Sequence, residues 1–146
     1  MTSQYLIPDL KQDEGCRLEA YPDPLSGGDP FTIGYGITGP DIRQGTVWTQ
    51  EQAEDALAEH VTKVEGQLDG SFPWWRQMSD LRQDVLANMA FNMGIGGVSQ
   101  FHNTLGCMEA GDYEGAADGM LDSKWAKQVP NRANRLAEQM RTGAHG

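Results

Sequence analysis

The chain has 146 residues, a length that fits one domain with a buried core. Its 38% hydrophobic and 22% charged residues exclude a disordered chain, and no apolar run approaches the roughly 18 residues of a membrane-spanning helix. Because the net charge is −10, neither nucleic acid nor an anionic membrane is an expected partner, and membrane insertion is not expected.

The chain begins without the basic start and apolar run of a signal peptide, so none is predicted. Cys16 and Cys107 are too few for a disulfide framework, and we expect two reduced thiols, although a bond between them stays possible.

Residues 8–15 read as a short helix, because Pro8 is tolerated in a first turn and Gly15 can adopt the left-handed conformation that ends a helix. Residues 21–39 alternate short β-prone runs, such as Phe31-Thr32-Ile33, with Gly and Pro, which is typical of a hairpin.

Residues 49–68 form the clearest predicted helix, with Thr49 and Gln52 as a capping box and an apolar stripe at helical spacing. Residues 70–75 interrupt the helical pattern, and a buried helix capped by Ser79 is predicted to end at the glycines 94, 96 and 97. Further helices are predicted at residues 98–110, 113–122 and 130–141.

These elements predict an α+β, mostly α-helical fold with a small β-hairpin lobe and a larger helical lobe joined by a long helix. We expect one domain over residues 1–146: a small lobe at about 15–48, the joining helix at about 49–69, and a helical lobe at about 70–146 that includes the N-terminal helix. A cleft between two lobes is a usual place for a ligand.

Carboxylates are the best candidates for chemistry. The three histidines share no metal-site spacing with Cys or acidic residues, and no phosphate-binding or dinucleotide motif is present, so no metal or cofactor is expected. Glu14 ends a predicted helix, where the helix dipole favours the protonated carboxyl of a general acid. Asp23, in the adjacent hairpin, could hold an attacking water, but with 21 acidic residues this pairing alone leaves ordinary surface carboxylates as the alternative.

The run from Glu14 to Asp23, followed by Thr32-Ile-Gly-Tyr-Gly36, resembles the signature of the T4-type phage lysozymes, glycoside hydrolase family 24. The resemblance continues in order through nearly the whole chain, in Phe91-Asn-Met-Gly94, Phe101-His-Asn-Thr-Leu105, Ser123-Lys-Trp125, Gln128-Val-Pro-Asn-Arg132-Ala and Arg141-Thr-Gly143. It implies a lysozyme-like fold.

The resemblance also implies roles for individual residues. Glu14 matches the catalytic acid, Asp23 the second carboxylate that positions or activates water, and Thr32 the threonine that hydrogen-bonds this water. Arg132 matches an arginine that pairs with the catalytic glutamate. Three further residues match sugar-contacting positions: Phe91, Thr104 and Thr38.

The hairpin departs from the family pattern. Eight residues separate Asp23 from Thr32, where the family usually has about five, so Asp29 becomes a rival for the second carboxylate. Ile37 stands where the family often has a histidine.

The resemblance implies an endolysin that hydrolyses the β-1,4 bond between N-acetylmuramic acid and N-acetylglucosamine in peptidoglycan and causes host cell lysis. It also implies a monomer that accumulates in the host cytoplasm and reaches the wall through a separate membrane-permeabilising protein. Two alternatives remain open at this stage: a lytic transglycosylase that leaves 1,6-anhydro ends, and a non-catalytic glycan-binding virion module.

Overall fold

The computed structural model describes all 146 residues, and its seven α-helices and one two-stranded antiparallel sheet confirm the α+β, mostly helical fold class. The elements are α1 Leu6–Glu14, β1 Arg17–Tyr21, β2 Thr32–Gly34, α2 Gln50–Ser71, a 3₁₀ helix Pro73–Gln77, α3 Asp80–Ser99, α4 His102–Ala110, α5 Tyr113–Leu121, α6 Lys124–Gln128 and α7 Pro130–Thr142. None of the helices is both long and apolar enough to cross a membrane.

The chain divides into two compact units. The hairpin unit is Ile7–Thr62, and the helical unit is Met1–Leu6 together with Lys63–Gly146. Helix α2 contributes residues to both units. The predicted lobe boundaries stay predictions.

In the hairpin unit, Gly15 follows α1 with φ of 65°, the left-handed conformation expected there. Strands β1 and β2 pair with Arg17 opposite Gly34 and Tyr21 opposite Thr32, with an irregular register between these two pairs. The hairpin therefore starts at Arg17, four residues before the predicted start at Tyr21. The prediction relied on the Gly and Pro residues from Tyr21 onward and did not use the alternation of polar Arg17 and Glu19 with apolar Leu18 and Ala20, which is the signal of this strand.

Helix α2 begins as its capping box predicts. The Thr49 N–H donates to Gln52 Oε1 at 2.8 Å, and the Gln52 N–H donates to Thr49 Oγ1 at 3.1 Å. The apolar stripe of α2 is buried at five positions: Ala53, Leu57, Val61, Val64 and Leu68.

A polar network ties α1, α2 and the hairpin together. Lys11 Nζ lies 2.7 Å from Glu54 Oε2, and Gln50 Nε2 donates to the buried Tyr35 hydroxyl at 2.9 Å. The hydrogen bond from Lys11 is the main reason that the pKa of Glu54 is lowered, and it also raises the pKa of Lys11. Burial raises the pKa of Tyr35.

In the helical unit, Ser79 caps α3 by accepting a hydrogen bond from the Arg82 N–H, as predicted. Gly94 has non-helical angles (φ 78°, ψ 162°) and kinks α3, which then continues to Ser99. The helix predicted at residues 98–110 therefore begins later, at His102. The short α6, capped by Ser123, was not predicted, because five residues are too few to show a helical period.

Candidate functional site

Glu14 is the last residue of α1, and its half-buried side chain lies against the hairpin. A Cβ added to Gly36 would stand 2.6 Å from Glu14 Oε1, so the carboxylate occupies the space that a side chain would otherwise fill. Gly36 also has φ of 75°, which favours glycine. The turn after β2 therefore depends on glycine both for its backbone angle and for its contact with Glu14.

Asp23 lies in the hairpin loop two residues beyond Tyr21, whose partner Thr32 closes the loop. Asp23 Oδ2 accepts the Ser26 N–H at 2.9 Å, and the Asp23 backbone bonds to Gly27 and Gly28. These bonds fix the carboxylate locally. The second carboxylate oxygen has no hydrogen-bond partner in the protein.

Thr32 opens β2 on the other side of the same loop. Its side chain is half-buried, and its hydroxyl makes no hydrogen bond within the protein. Glu14, Asp23 and Thr32 thus belong to one compact unit and lie around one hairpin. A hydroxyl and a carboxylate oxygen without protein partners can both bind water.

Asp29, the rival carboxylate, lies farther out in the loop and is exposed. Its carbonyl accepts a hydrogen bond from Ser26 Oγ at 2.9 Å, and it precedes a cis peptide bond to Pro30. Ser26 therefore links Asp23 to Asp29 through its N–H and its hydroxyl.

Arg132 lies in the first turn of α7 in the helical unit. Its Nε donates to Oδ1 of the buried Asn88 on α3 at 2.9 Å, which holds the half-buried guanidinium in place. The pairing of Arg132 with Glu14 stays a prediction.

The three predicted sugar-contacting residues lie in different surroundings. Phe91 is half-buried on α3. Thr104 on α4 is only 4% exposed and lies against Gly119, yet it also lines a pocket of about 440 Å³ with Phe101 and Trp125.

Thr38 is exposed and lines a separate pocket of about 550 Å³ in the hairpin unit.

Two features were missed by the sequence analysis. In the sequence analysis, Gly36 was named only as part of a motif. A glycine directly after a strand can indicate a positive φ and a close contact of the backbone with another group. Gly36 has both, and the group it contacts is Glu14. The Lys11–Glu54–Tyr35 network had no local signal, because its members are far apart in the chain.

The remaining residues considered in the sequence analysis are the two cysteines and the possible metal ligands. Cys16 and Cys107 are free thiols, and burial raises the pKa of Cys107. No three His, Cys, Asp or Glu side chains converge to hold a metal ion.

Comparison with known proteins gives one family match and several relatives. The phage lysozyme family model matches residues 11–141. The chain is 31% identical to the pre-baseplate central spike protein Gp5 of Enterobacteria phage T4 over 92% of its own length but only 27% of that protein. It is 29% identical to a probable T4-type lysozyme of Dictyostelium discoideum, with 92% of both chains covered. An endolysin of Acyrthosiphon pisum secondary endosymbiont phage 1 is 31% identical over 84% of this chain and 77% of the endolysin.

Proposed function

Because this chain belongs to the phage lysozyme family, we propose that it hydrolyses the β-1,4 bond between N-acetylmuramic acid and N-acetylglucosamine in bacterial peptidoglycan. The curated relatives named endolysin and T4-type lysozyme support this activity. We further propose that the protein is an endolysin, so that its hydrolysis of peptidoglycan lyses the host cell.

In the proposed reaction, Glu14 is the general acid. Its carboxyl proton passes to the glycosidic oxygen as the bond between that oxygen and the anomeric carbon breaks. A water held by Asp23 and Thr32 adds its oxygen to the anomeric carbon and passes a proton to the Asp23 carboxylate, so that one water is consumed for each bond broken. Proton exchange with the solvent then returns Glu14 to its protonated form and Asp23 to its ionised form.

The observation that carries this assignment is that two polar atoms at the hairpin loop lack hydrogen-bond partners in the protein. One Asp23 oxygen and the Thr32 hydroxyl have no protein hydrogen-bond partner, although both side chains are half-buried. Neither atom is fully buried, so both are accessible to water. Two such atoms at the two ends of one loop, in the unit that also holds Glu14, suit the binding of a reacting water.

The same proposal assigns Arg132 to interact with the catalytic carboxyl, and Phe91, Thr104 and Thr38 to contact the sugar chain. We also propose that this protein is a monomer that accumulates in the host cytoplasm. It would reach the wall through a separate membrane-permeabilising protein.

The test is digestion of purified peptidoglycan, with mass spectrometry of the released fragments. We expect reducing muramic acid ends. Ends lighter by one water would be 1,6-anhydro ends and would show a transglycosylase instead, whereas binding without any turnover would support a glycan-binding module.

A matched pair of variants tests which carboxylate acts with Glu14. Asp23→Asn is expected to lower the hydrolysis rate by about 10²-fold or more, in the range of acid–base groups. The hydrolysis rate of Asp29→Asn is expected to stay much closer to that of the unmodified protein. The reverse order would assign the second carboxylate to Asp29.

A further inference from the structure

The pocket of about 550 Å³ in the hairpin unit has two walls. One is the end of the hairpin loop, residues 29–31, and the other comes from the segment 38–43 after β2. Phe31, Pro40 and Ile42 contribute apolar surface. We call this the hairpin pocket.

Two ionisable residues of opposite sign line the hairpin pocket: Asp29 and Arg43. Both are exposed, and neither side chain forms an ion pair or a hydrogen bond within the protein. Their backbones are nevertheless fixed, because Ser26 Oγ donates to the Asp29 carbonyl at 2.9 Å and the Arg43 N–H donates to Thr46 Oγ1 at 3.1 Å. The pocket is therefore lined by a carboxylate and a guanidinium that the fold does not use.

Hydrogen bonds link each wall of the hairpin pocket to the hairpin that carries the proposed catalytic residues. Ser26 bonds both to the carboxylate of Asp23 and to the carbonyl of Asp29. On the other wall, Ile33 and Ile37 exchange backbone hydrogen bonds of 2.9 Å, which fixes the start of the segment 38–43 against β2. A substrate group in this pocket would lie beside the hairpin that holds Asp23 and Thr32.

We propose that the hairpin pocket binds the zwitterionic end of a diamino acid in the peptide stem of peptidoglycan, with Arg43 pairing with its carboxylate and Asp29 with its ammonium group. The inference rests on the proposed function. A diamino acid such as diaminopimelate can carry both charges on one carbon, and its methylene chain suits the apolar surface of Phe31, Pro40 and Ile42. A purely anionic group fits less well, because the Asp29 carboxylate would repel it.

The experiment compares two substrates: purified diaminopimelate-containing peptidoglycan with its stems intact, and the same glycan after an amidase has removed the stems. For each protein the ratio of kcat/KM on intact to stripped substrate is measured. We expect Arg43→Gln and Asp29→Asn each to lower this ratio about threefold to fivefold, the size of an exposed ion pair. The effect should shrink at high salt, because exposed charges are screened.

Arg17→Gln and Asp41→Asn are the matched controls, since both residues are exposed in the same unit and line no part of the hairpin pocket. Their ratios should equal that of the unmodified protein. Thermal unfolding of each variant verifies that the fold is retained.

The outcomes separate the two proposals. Hydrolysis of both substrates with a ratio that Arg43→Gln and Asp29→Asn leave unchanged would overturn the pocket assignment alone. A ratio that falls in Arg43→Gln but rises in Asp29→Asn would indicate a simple anion site and would overturn the zwitterion. Hydrolysis of neither substrate by the unmodified protein would overturn the proposed function, and the pocket assignment with it.

Discussion

The helical unit and the hairpin unit both contain polar groups that serve the fold, but in the hairpin unit two candidate site residues keep polar atoms without protein partners. In the helical unit, buried polar side chains serve the fold: Gln83 donates to the carbonyls of Arg76 and Met78, and Asp84 accepts from both the N–H and the hydroxyl of Ser3. In the hairpin unit, Thr32 and one oxygen of Asp23 have no partner in the protein. The proposed function uses these atoms of the hairpin unit to bind the reacting water, and it assigns Arg132, Phe91 and Thr104 of the helical unit to the carboxyl and the sugar chain.

The core is divided unevenly between the two units. Of the twelve largest fully buried side chains, only three belong to the hairpin unit: Leu10, Ile33 and Leu57. Substitutions that remove packing should therefore act mainly through stability in the helical unit, and substitutions around the hairpin mainly through activity.

Trp75→Ala should have the largest effect on stability. The ring is 0% exposed and its Nε1 donates to Asp69 Oδ1 at 2.8 Å. Its loss should lower the free energy of unfolding by about 3–5 kcal/mol, measured by chemical denaturation. Trp74→Ala is the control, because this neighbouring ring is only half-buried. Equal losses in the two variants would contradict the packing difference.

Gly36→Ala should have the largest effect on activity short of removing a catalytic group. The new Cβ would meet Glu14 Oε1 at 2.6 Å and force the carboxylate to move, so we expect about a 10²-fold loss of hydrolysis from misplacement. Gly45→Ala shares the positive φ, 91°, but has no atom within 4 Å of the added Cβ. If Gly45→Ala lost as much activity, backbone strain and not the position of Glu14 would be the cause.

Arg82→Ala should have an intermediate effect on stability and none on the catalytic step. Arg82 donates to the carbonyls of Met140 and Arg141 at 2.7 and 3.0 Å and lies 3.8 Å from the centre of the Tyr113 ring. Losing these contacts at the end of α7 should lower the free energy of unfolding by about 1–2 kcal/mol. Arg82→Lys keeps the charge but not the planar fork. Full stability of Arg82→Lys would show that charge alone matters.

The smallest effect concerns pH. Hydrogen bonds from Arg76, and then from Trp75, lower the pKa of Asp69 in the folded protein. Because the folded pKa lies below the unfolded one, the stabilisation is present above about pH 4 and is lost as pH falls through the folded pKa. The carboxylate is 48% exposed, so we expect less than about 1 kcal/mol. Asp69→Asn should flatten the acid end of the profile of unfolding free energy against pH, and an unaltered profile would contradict the assignment.

Local signals in the sequence predicted most of the helices. Ser79 and the Thr49–Gln52 capping box mark helix starts through contacts within four residues, and Gly15 marks a helix end. The short α6 was missed because five residues are too few to show a helical period. The start of β1 was missed although Arg17, Leu18, Glu19 and Ala20 alternate in polarity, because the prediction was based on the turn residues that follow.

The sequence proposes the members of the candidate site but does not predict their contacts. The motif around Glu14, Asp23 and Thr32 named the residues. The contact of Glu14 with Gly36, the Ser26 link from Asp23 to Asp29, and the pairing of Lys11 with Glu54 all depend on how the chain folds back on itself. A single sequence has no pattern that specifies such contacts.

The most direct test of the division between chemistry and stability compares two Glu→Gln substitutions within the hairpin unit. Glu14→Gln and Glu54→Gln are assayed together for peptidoglycan hydrolysis and for free energy of unfolding. We predict that Glu14→Gln loses about 10²-fold or more of the hydrolysis rate, as for removal of a general acid, and keeps its stability. We predict that Glu54→Gln, which loses the ion pair with Lys11, keeps its hydrolysis rate and becomes less stable. Hydrolysis by Glu14→Gln at the rate of the unmodified protein would contradict the account.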